Sequence, residues 1–221
     1  MTERSTDGFT NATDPSGRVI RHRLVDRLYH WLMALAVLVL MGTSFVPILG
    51  FKFQWLEIHW ITGVLLAVLV VFHVVRSVVW QNWRNMVIGT ADIRDIWREA
   101  RHTISGGGAP PTRPGKYDSL QKLYHLAVAI LVLAVIASGL LMLLKIDTPL
   151  WRRDPYWFSA DAWGVIYAVH GLAAMAMVTI LVIHIYFALR PDNWRFTRSM
   201  FRGWISRKEY SDHHDAERWK A

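Results

Sequence analysis

The longest uncharged stretch of the chain, from Ala162 to Leu189, constrains the fold more than any other feature. It contains 28 residues, which exceeds the roughly 20 that a helix needs to cross a bilayer. Two histidines within it, His170 and His184, lie 14 residues apart. A helix rises about 1.5 Å per residue, so they are about 21 Å apart along the axis and face the same side. Ionisable groups at membrane depth are costly and usually functional. The stretch therefore predicts a membrane-spanning helix with one imidazole near each leaflet.

Composition excludes several kinds of chemistry. The chain has 221 residues, is 53% hydrophobic and contains no cysteine. It therefore has no disulfide, no thiolate-bound iron–sulfur cluster and no covalent haem attachment. The net charge of +8 comes from basic residues that flank apolar segments, which is typical of membrane topology and not of nucleic-acid binding. The N-terminus lacks an early apolar run, so we expect no cleaved signal peptide.

Four apolar segments predict an all-α, integral membrane four-helix bundle. The spans are expected at about residues 28–49, 58–80, 120–144 and 162–189. We expect a flexible tail over 1–20, a four-span domain over 21–189 and a basic tail over 190–221. Apolar spacing over 91–104 predicts a short amphipathic surface helix, and the Gly/Pro-rich segment 106–115 predicts a loop.

The distribution of basic residues predicts the orientation of the bundle. Nineteen Lys and Arg residues lie in the two ends of the chain and the connection between spans two and three, against four in the other two links. The positive-inside rule then places both termini in the cytoplasm of a bacterial inner membrane. His59 and His170 lie toward the outer side in that orientation. The other four histidines of the spans lie toward the inner side: His30, His73, His125 and His184.

Two pairs of segments resemble each other. RLYHWLMALAVLVL in span one is similar to KLYHLAVAILVLAV in span three, and the histidines of spans two and four share the same 14-residue spacing. The similarity suggests two helical hairpins related by an axis along the membrane normal.

Paired histidines on neighbouring spans favour haem binding. At the outer level, His59 and His170 are the only candidates, and Gly63 and Gly171 beside them leave room for a flat macrocycle. Two imidazoles give a six-coordinate haem b suited to electron transfer. Histidines that only form hydrogen bonds in a helical core are the alternative. At the inner level, His184 has three candidate partners: His73, which the repeat favours, His30 and His125.

Several motifs carry a resemblance to a known family. They are DRLYHW at 26–31, His59-xxx-Gly63, GKYDSLQK at 115–122, His170-Gly171 through HIYFA at 184–188, and HHDAERW at 213–219. With these motifs the chain resembles the cytochrome b (gamma) subunit of membrane-bound formate dehydrogenase. More widely, it is similar to the bacterial di-haem cytochrome b561 superfamily, which includes the cytochromes b of nickel–iron hydrogenase and thiosulfate reductase.

The resemblance implies a set of ligands for two haem b groups. The outer haem would be held by His59 and His170 and the inner haem by His30 and His184, with His73 as the alternative to His30. Arg76, near His73, is a further candidate cofactor-binding residue, with Gly63 and Gly171. His125 would be an interfacial residue or part of a quinone site. Histidines outside the spans are expected to be solvated: His22, His102, His213 and His214.

The resemblance also implies partners and a substrate. A periplasmic iron–sulfur subunit and a catalytic dehydrogenase subunit would supply electrons, so the chain would work in a hetero-oligomer embedded in lipid. Menaquinone or ubiquinone would be reduced near the inner haem, beside Asp118, Gln121 and His184. Asp118 stands where the family has Asn, and an aspartate there could relay protons or simply cap a helix.

Three other functions remain open from the sequence. The chain could be the cytochrome b subunit of a hydrogenase-type or thiosulfate reductase-type complex, or a stand-alone cytochrome b561 that exchanges electrons with quinone. A haem-free scaffold or transporter is the third, from a different class. The long basic tail favours a subunit of a complex, because a tail can hold a partner protein.

Overall fold

The computed structural model describes residues 13–14, 17–80, 86–105, 113–215 and 218–219. Within these ranges, four helices are long and apolar enough to cross a membrane. They are α1 (Leu24–Phe45), α2 (Trp55–Trp80), α4 (Ser119–Met142) and α5 (Ala160–Leu189). The predicted all-α, four-span membrane bundle is thereby confirmed.

The helices begin two to four residues before the apolar segments in three of the four cases and one residue before in the other. Helical hydrogen bonding continues past the apolar run because water or headgroups can solvate the first turn. Each span ends at identifiable residues. A 3₁₀ turn at Pro47–Leu49 follows α1, and Gly50 stops it with a φ of 92° that favours glycine.

The other α-helices and the strands of the described residues are all shorter than the spans. They are α3 (Thr90–Ser105), α6 (Trp194–Arg202), α7 (Arg207–His213), β1 (Thr13–Asp14), β2 (Arg18–Ile20) and β3 (Trp204–Ser206). The strands form an antiparallel sheet in the order β1-β2-β3. A capping box between Ser206 and Glu209 starts α7.

The chain divides into two compact units. The terminal unit comprises Met1–Arg27, Trp80–His125 and Ala188–Ala221. The span unit comprises Leu28–Val79 and Leu126–Phe187 and contains most of the membrane-spanning length. Many large apolar side chains of the span unit are exposed, as lipid-facing surfaces require.

The terminal unit has a small apolar core of Val19, Ile205 and Trp219, with Tyr210 packed against it. Residues 1–12 and 15–16 of the predicted flexible tail lie outside the described residues. Arg18–Ile20 of that segment is a strand, because β3 of the C-terminal tail supplies its hydrogen-bonding partner. The composition of the segment gives no indication of a pairing with such a distant part of the chain.

A buried arginine joins three distant segments of the terminal unit. Arg21 is 3% exposed. Its Nη1 donates to Nε2 of His214 at 3.1 Å, and its Nη2 donates to the carbonyl of Lys116 at 3.0 Å. His214 Nδ1 donates to the carbonyl of Gly115 at 2.7 Å. His214 was expected to be solvated, and that prediction is wrong because the imidazole is the bridge between these segments.

Aromatic rings complete the surroundings of this cation. The Arg21 guanidinium lies 4.6 Å from the Phe196 ring centroid, 5.6 Å from that of Trp219 and 5.9 Å from that of Tyr117. Burial lowers the pKa of Arg21 to about 10, so it stays charged at neutral pH. Cation–π attraction offsets part of the desolvation cost.

Two of the motifs singled out in the sequence meet in this unit. Gly115, from GKYDSLQK, is buried against Arg218, from HHDAERW, and a Cβ at position 115 would clash with the Arg218 carbonyl oxygen. Arg218 also donates to Asp95 at 2.7 Å. The described residues of the C-terminal tail, 190–215 and 218–219, are therefore a folded part of the terminal unit.

His214 is expected to make the stability of the terminal unit depend on pH. The neutral ring donates through Nδ1 and accepts through Nε2, so a second proton would face the Arg21 guanidinium. Burial is the main reason that the pKa of His214 is lowered to about 4. The bond to Gly115 raises this pKa, whereas the positive charge of Arg21 lowers it further. The unfolded chain binds this proton near pH 6.5, so stability is complete above that pH and falls by roughly 3 kcal/mol as the pH drops toward 4.

Hydrogen exchange of the β2 and β3 amides between pH 7 and 4.5, corrected for intrinsic rates, measures this effect. The His214→Gln variant keeps a neutral donor and acceptor and does not titrate in this range. Comparison with it separates the contribution of His214 to the pH dependence from the contributions of the nearby residues Asp118, Arg195 and His213. Protection that falls equally in both proteins on acidification would contradict the prediction.

Candidate functional site

Two histidine pairs stand at the same separation in the span unit. The ring centroids of His59 on α2 and His170 on α5 are 6.3 Å apart, and those of His30 on α1 and His184 on α5 are also 6.3 Å apart. The interplanar angles are 71° and 50°. Both pairs join a residue of the first hairpin to one histidine of α5.

This separation fits a metal held between two imidazoles. Metal–imidazole nitrogen bonds are about 2.0–2.1 Å long, so two nitrogens on opposite sides of one ion are about 4 Å apart. Each ring centroid lies roughly 1 Å behind its nitrogen, which places the centroids about 6 Å apart. Among the described residues, no three His, Asp or Glu side chains are grouped to hold a metal ion. The pairs therefore suit a cofactor that brings its own equatorial ligands.

Hydroxyl groups fix the tautomers of the first pair. Thr43 Oγ1 donates its single proton to a carbonyl of its own helix. The nearer carbonyl is that of Val39 at 2.9 Å, and that of Leu40 lies at 3.0 Å. The contact of 2.8 Å between Thr43 Oγ1 and His59 Nδ1 is then a bond that the imidazole donates. Nε2 of His59 is left without a proton and can bind a metal.

Ser138 acts on His170 in the same way. Its Oγ donates to the Ala134 carbonyl at 2.6 Å and accepts from His170 Nδ1 at 2.9 Å. Such second contacts orient metal ligands and raise their basicity. Thr43 and Ser138 are both buried, so water does not compete for these bonds.

Neither hydroxyl residue was predicted from the sequence, although the two occupy matching positions of the internal repeat. Thr43 lies 13 residues after His30, and Ser138 lies 13 residues after His125 in the matching segment. The histidines they contact, His59 and His170, each begin a 14-residue His–His spacing. The two hydroxyl–imidazole bonds are thus equivalent under the repeat.

A cavity of about 380 Å³ adjoins the first pair and is lined mainly by apolar side chains, with His59, His170, Gly63 and Lys145 in its wall. Ligand pockets typically have volumes of roughly 300–1,000 Å³. A Cβ added at Gly63 or at Gly171 would have no neighbour within 4 Å, so open space lies beside both predicted glycines.

Gly139 is a further position that the sequence analysis missed. A Cβ there would lie 3.2 Å from Cε1 of His170, so the glycine lets the imidazole lie close against α4. The Lys145 ammonium lies 4.8 Å from the Trp163 ring centroid and 5.1 Å from that of Tyr167. These rings hold a positive charge at the cavity wall.

The second pair departs from the symmetry of the repeat. The repeat favoured His73 as the partner of His184, but His30 is the residue at 6.3 Å. The His73 ring stacks on Tyr29, with centroids 4.8 Å apart and an interplanar angle of 12°. Among the described residues, Nδ1 of His30 is buried without a hydrogen-bond partner. A buried ring nitrogen in that state is uncommon unless water or a bound group satisfies it.

The predicted quinone residues of the terminal unit form a helix cap. Asp118 Oδ1 accepts from the Gln121 backbone N–H at 2.7 Å, and Gln121 Oε1 accepts from the Asp118 N–H at 3.4 Å. This reciprocal pair starts α4. Burial raises the pKa of Asp118, despite the bond from Gln121 and the positive charge of Arg21. Arg76 lies half-buried one turn after His73.

Four apolar helices, three of which carry imidazoles paired at metal-binding separation, are the arrangement expected of a membrane cytochrome b. The sequence pattern of prokaryotic cytochrome b561 matches residues 21–203, and the chain belongs to that family. Family membership implies haem b, electron transport and a multi-pass place in a bacterial membrane.

Two similar proteins cover nearly the same length. The formate dehydrogenase cytochrome b556 subunit of Haemophilus influenzae is 23% identical over 91% of this chain and 82% of its own. The formate dehydrogenase cytochrome b556(fdo) subunit of Escherichia coli K12 is 26% identical over 91% of both chains. These similarities confirm the resemblance found in the motifs.

If His59 and His170 hold a haem, removal of either hydroxyl is expected to raise the midpoint potential of that haem. The Nδ1–H bond strengthens the imidazole as a donor to ferric iron, and one such bond contributes about 1 kcal/mol, or roughly 40 mV for one electron. Redox titration of Thr43→Val and Ser138→Ala, with Thr179→Val on an exposed face of α5 as the control, measures the shift. Unchanged potentials in both variants would remove the role assigned to these hydroxyls.

Proposed function

We propose that this chain is the di-haem b membrane subunit that carries electrons from a periplasmic iron–sulfur and dehydrogenase partner, most specifically formate dehydrogenase, across the inner membrane to quinone. The observation that carries the proposal is the pair of equal imidazole separations, each of which fits one iron. When bound, two haems would supply one-electron redox centres at two depths of the bilayer.

The residues of the span unit have distinct roles in this proposal. His59 and His170 would hold the outer haem, with Thr43 and Ser138 fixing their tautomers. His30 and His184 would hold the inner haem. With two protein ligands for each haem, neither site would offer a position to substrate, which suits electron transfer. Lys145, at the wall of the cavity beside His59 and His170, would supply a positive charge to a haem carboxylate.

The proposed orientation has both termini in the cytoplasm, and it rests on the excess of basic residues in the ends and in the connection between spans two and three. His59 and His170 are then near the periplasm, where a donor subunit would deliver electrons. His30 and His184 are near the cytoplasm. Quinone protons taken from that side would add to the membrane potential.

The quinone side of the proposal depends on family resemblance. Asp118, Gln121 and His184 are the proposed quinone residues, with menaquinone or ubiquinone as the acceptor. The raised pKa of Asp118 supports a role in proton transfer, because a carboxyl that is neutral at higher pH can donate a proton. Its part in the helix cap is compatible with that role, since the cap uses one oxygen.

The partner is inferred from the two formate dehydrogenase subunits that resemble the chain over most of its length. Purification from native membranes tests it. We expect a large dehydrogenase and an iron–sulfur subunit to copurify. Formate should reduce the haem, as seen in the haem b absorption bands, and a quinone analogue should then reoxidise it. A copurifying hydrogenase or thiosulfate reductase would change the donor, and a chain purified alone with quinone activity would indicate a stand-alone cytochrome b561.

A further inference from the structure

Helix α3, which lies between the second and third spans, has three different faces. Ile93, Trp97 and Ile104 are 61%, 63% and 86% exposed. At about 100° per residue, they fall within about 40° of one another. The helix therefore carries a continuous apolar stripe that no described part of the protein covers fully.

The acidic flank of α3 is fixed to the protein. Asp92 accepts from Ser119 Oγ at 3.1 Å and from Lys122 Nζ at 2.9 Å, and Asp95 accepts from Arg218 at 2.7 Å. Burial alone would raise the pKa of Asp92, but the bonds from Gly89 and Lys122 lower it below its usual value. The carboxylate is therefore charged at neutral pH.

These bonds set the depth of α3. Ser119 and Lys122 belong to the first turn of α4, the helix that forms the third span. The point at which a span begins is the level of the lipid headgroups. The N-terminal half of α3 is therefore tied to the membrane boundary, whichever side of the membrane it occupies.

The other flank of α3 is cationic. Arg94 and Arg101 are exposed, and the Arg98 side chain is 50% exposed while 4.0 Å from Asp95. The Arg101 guanidinium lies 5.3 Å from the Trp97 ring centroid. Tryptophan prefers the membrane interface, and clustered arginines near a bilayer attract anionic lipids.

We propose that α3 lies along the bilayer surface, with Ile93, Trp97 and Ile104 between the headgroups and acyl chains and with Arg94, Arg98 and Arg101 at the phosphates of anionic phospholipids. Lipid is the occupant that fits, because the helix is tied at headgroup depth and combines an apolar stripe with an exposed cationic flank. The inference is independent of haem and quinone.

The lack of cysteine in the chain makes the test simple. Nitroxide labels are attached to Ile93→Cys and Ile104→Cys, with Glu99→Cys on another face as the matched control. The full chain is placed in vesicles of phosphatidylcholine alone or with phosphatidylglycerol. Collision of the label with oxygen and with a neutral nickel chelate reports its depth, since oxygen concentrates in lipid and the chelate in water.

We expect the oxygen-to-nickel ratio to be several-fold higher at positions 93 and 104 than at 99, and to rise further at 104 when phosphatidylglycerol is present. The triple variant Arg94→Gln, Arg98→Gln, Arg101→Gln should lose that further rise and keep its absorption spectrum. Equal ratios at all three positions would overturn the proposal, and so would shielding that appears only after soluble partner subunits bind. Burial without a phosphatidylglycerol effect would overturn the headgroup assignment.

Discussion

Replacing His170 by alanine is expected to halve the haem content, from two haem b per chain to one. The ring centroids of His170 and His59 lie 6.3 Å apart, and the hydroxyl contacts at Nδ1 leave each Nε2 without a proton. Removal of one ligand leaves a single imidazole, which would hold haem weakly. His59→Ala should lose the same haem. Haem per chain from the pyridine haemochrome, with the redox spectrum of the remaining haem, measures the loss.

His125→Ala is the matched control, because it removes a histidine of α4 that is not assigned to a haem. It should retain both haems. Two full haems in His170→Ala would contradict the outer assignment. Loss of both haems could reflect misfolding, so the remaining haem must keep the spectrum it has in the unmodified protein for the result to count as support.

His30→Ala is expected to lose the inner haem, whereas His73→Ala should keep it. The His30 ring lies at 6.3 Å from His184, while the His73 ring stacks on Tyr29. His184→Ala should lose the same haem as His30→Ala. Removing His73 takes away its stacking contact with Tyr29, worth about 0.5–1.5 kcal/mol, and should lower thermal stability. The haem that remains in each variant can be identified by its midpoint potential.

The reverse result would favour the ligand pair that the repeat predicts over the pair of rings seen in the structure. If His73→Ala lost the inner haem and His30→Ala kept it, the symmetric pair His73 and His184 would be the ligands. The Tyr29 stack would then be a contact that haem binding rearranges.

The spans could be predicted from the sequence because an apolar run of about 20 residues or more is unstable when exposed to water and is long enough to cross a bilayer as a helix. The proximity of His59 and His170 could also be predicted, since the sequence has no other histidine near that end of the four spans. The partner of His184 was harder to predict. Spacing and the repeat favoured His73, family resemblance favoured His30, and only packing brings one of them to the right separation.

Contacts between distant segments could not be read from the chain. Thr43 and Ser138 are hydroxyls in apolar helices, where they commonly bond only to their own helix, and their matched positions in the repeat gain meaning once the histidines are located. His214 stood in a charged tail that gave no sign of burial. Its partners, Arg21 and Gly115, lie about a hundred residues or more away in the chain.

The number of haem groups in the unmodified chain, purified in detergent, is the decisive quantity. We expect two haem b per chain by pyridine haemochrome and, in the oxidised protein, low-spin ferric signals from two centres with paired imidazole ligands. A chain without Soret absorption, or one that holds a single haem at full occupancy, would contradict it.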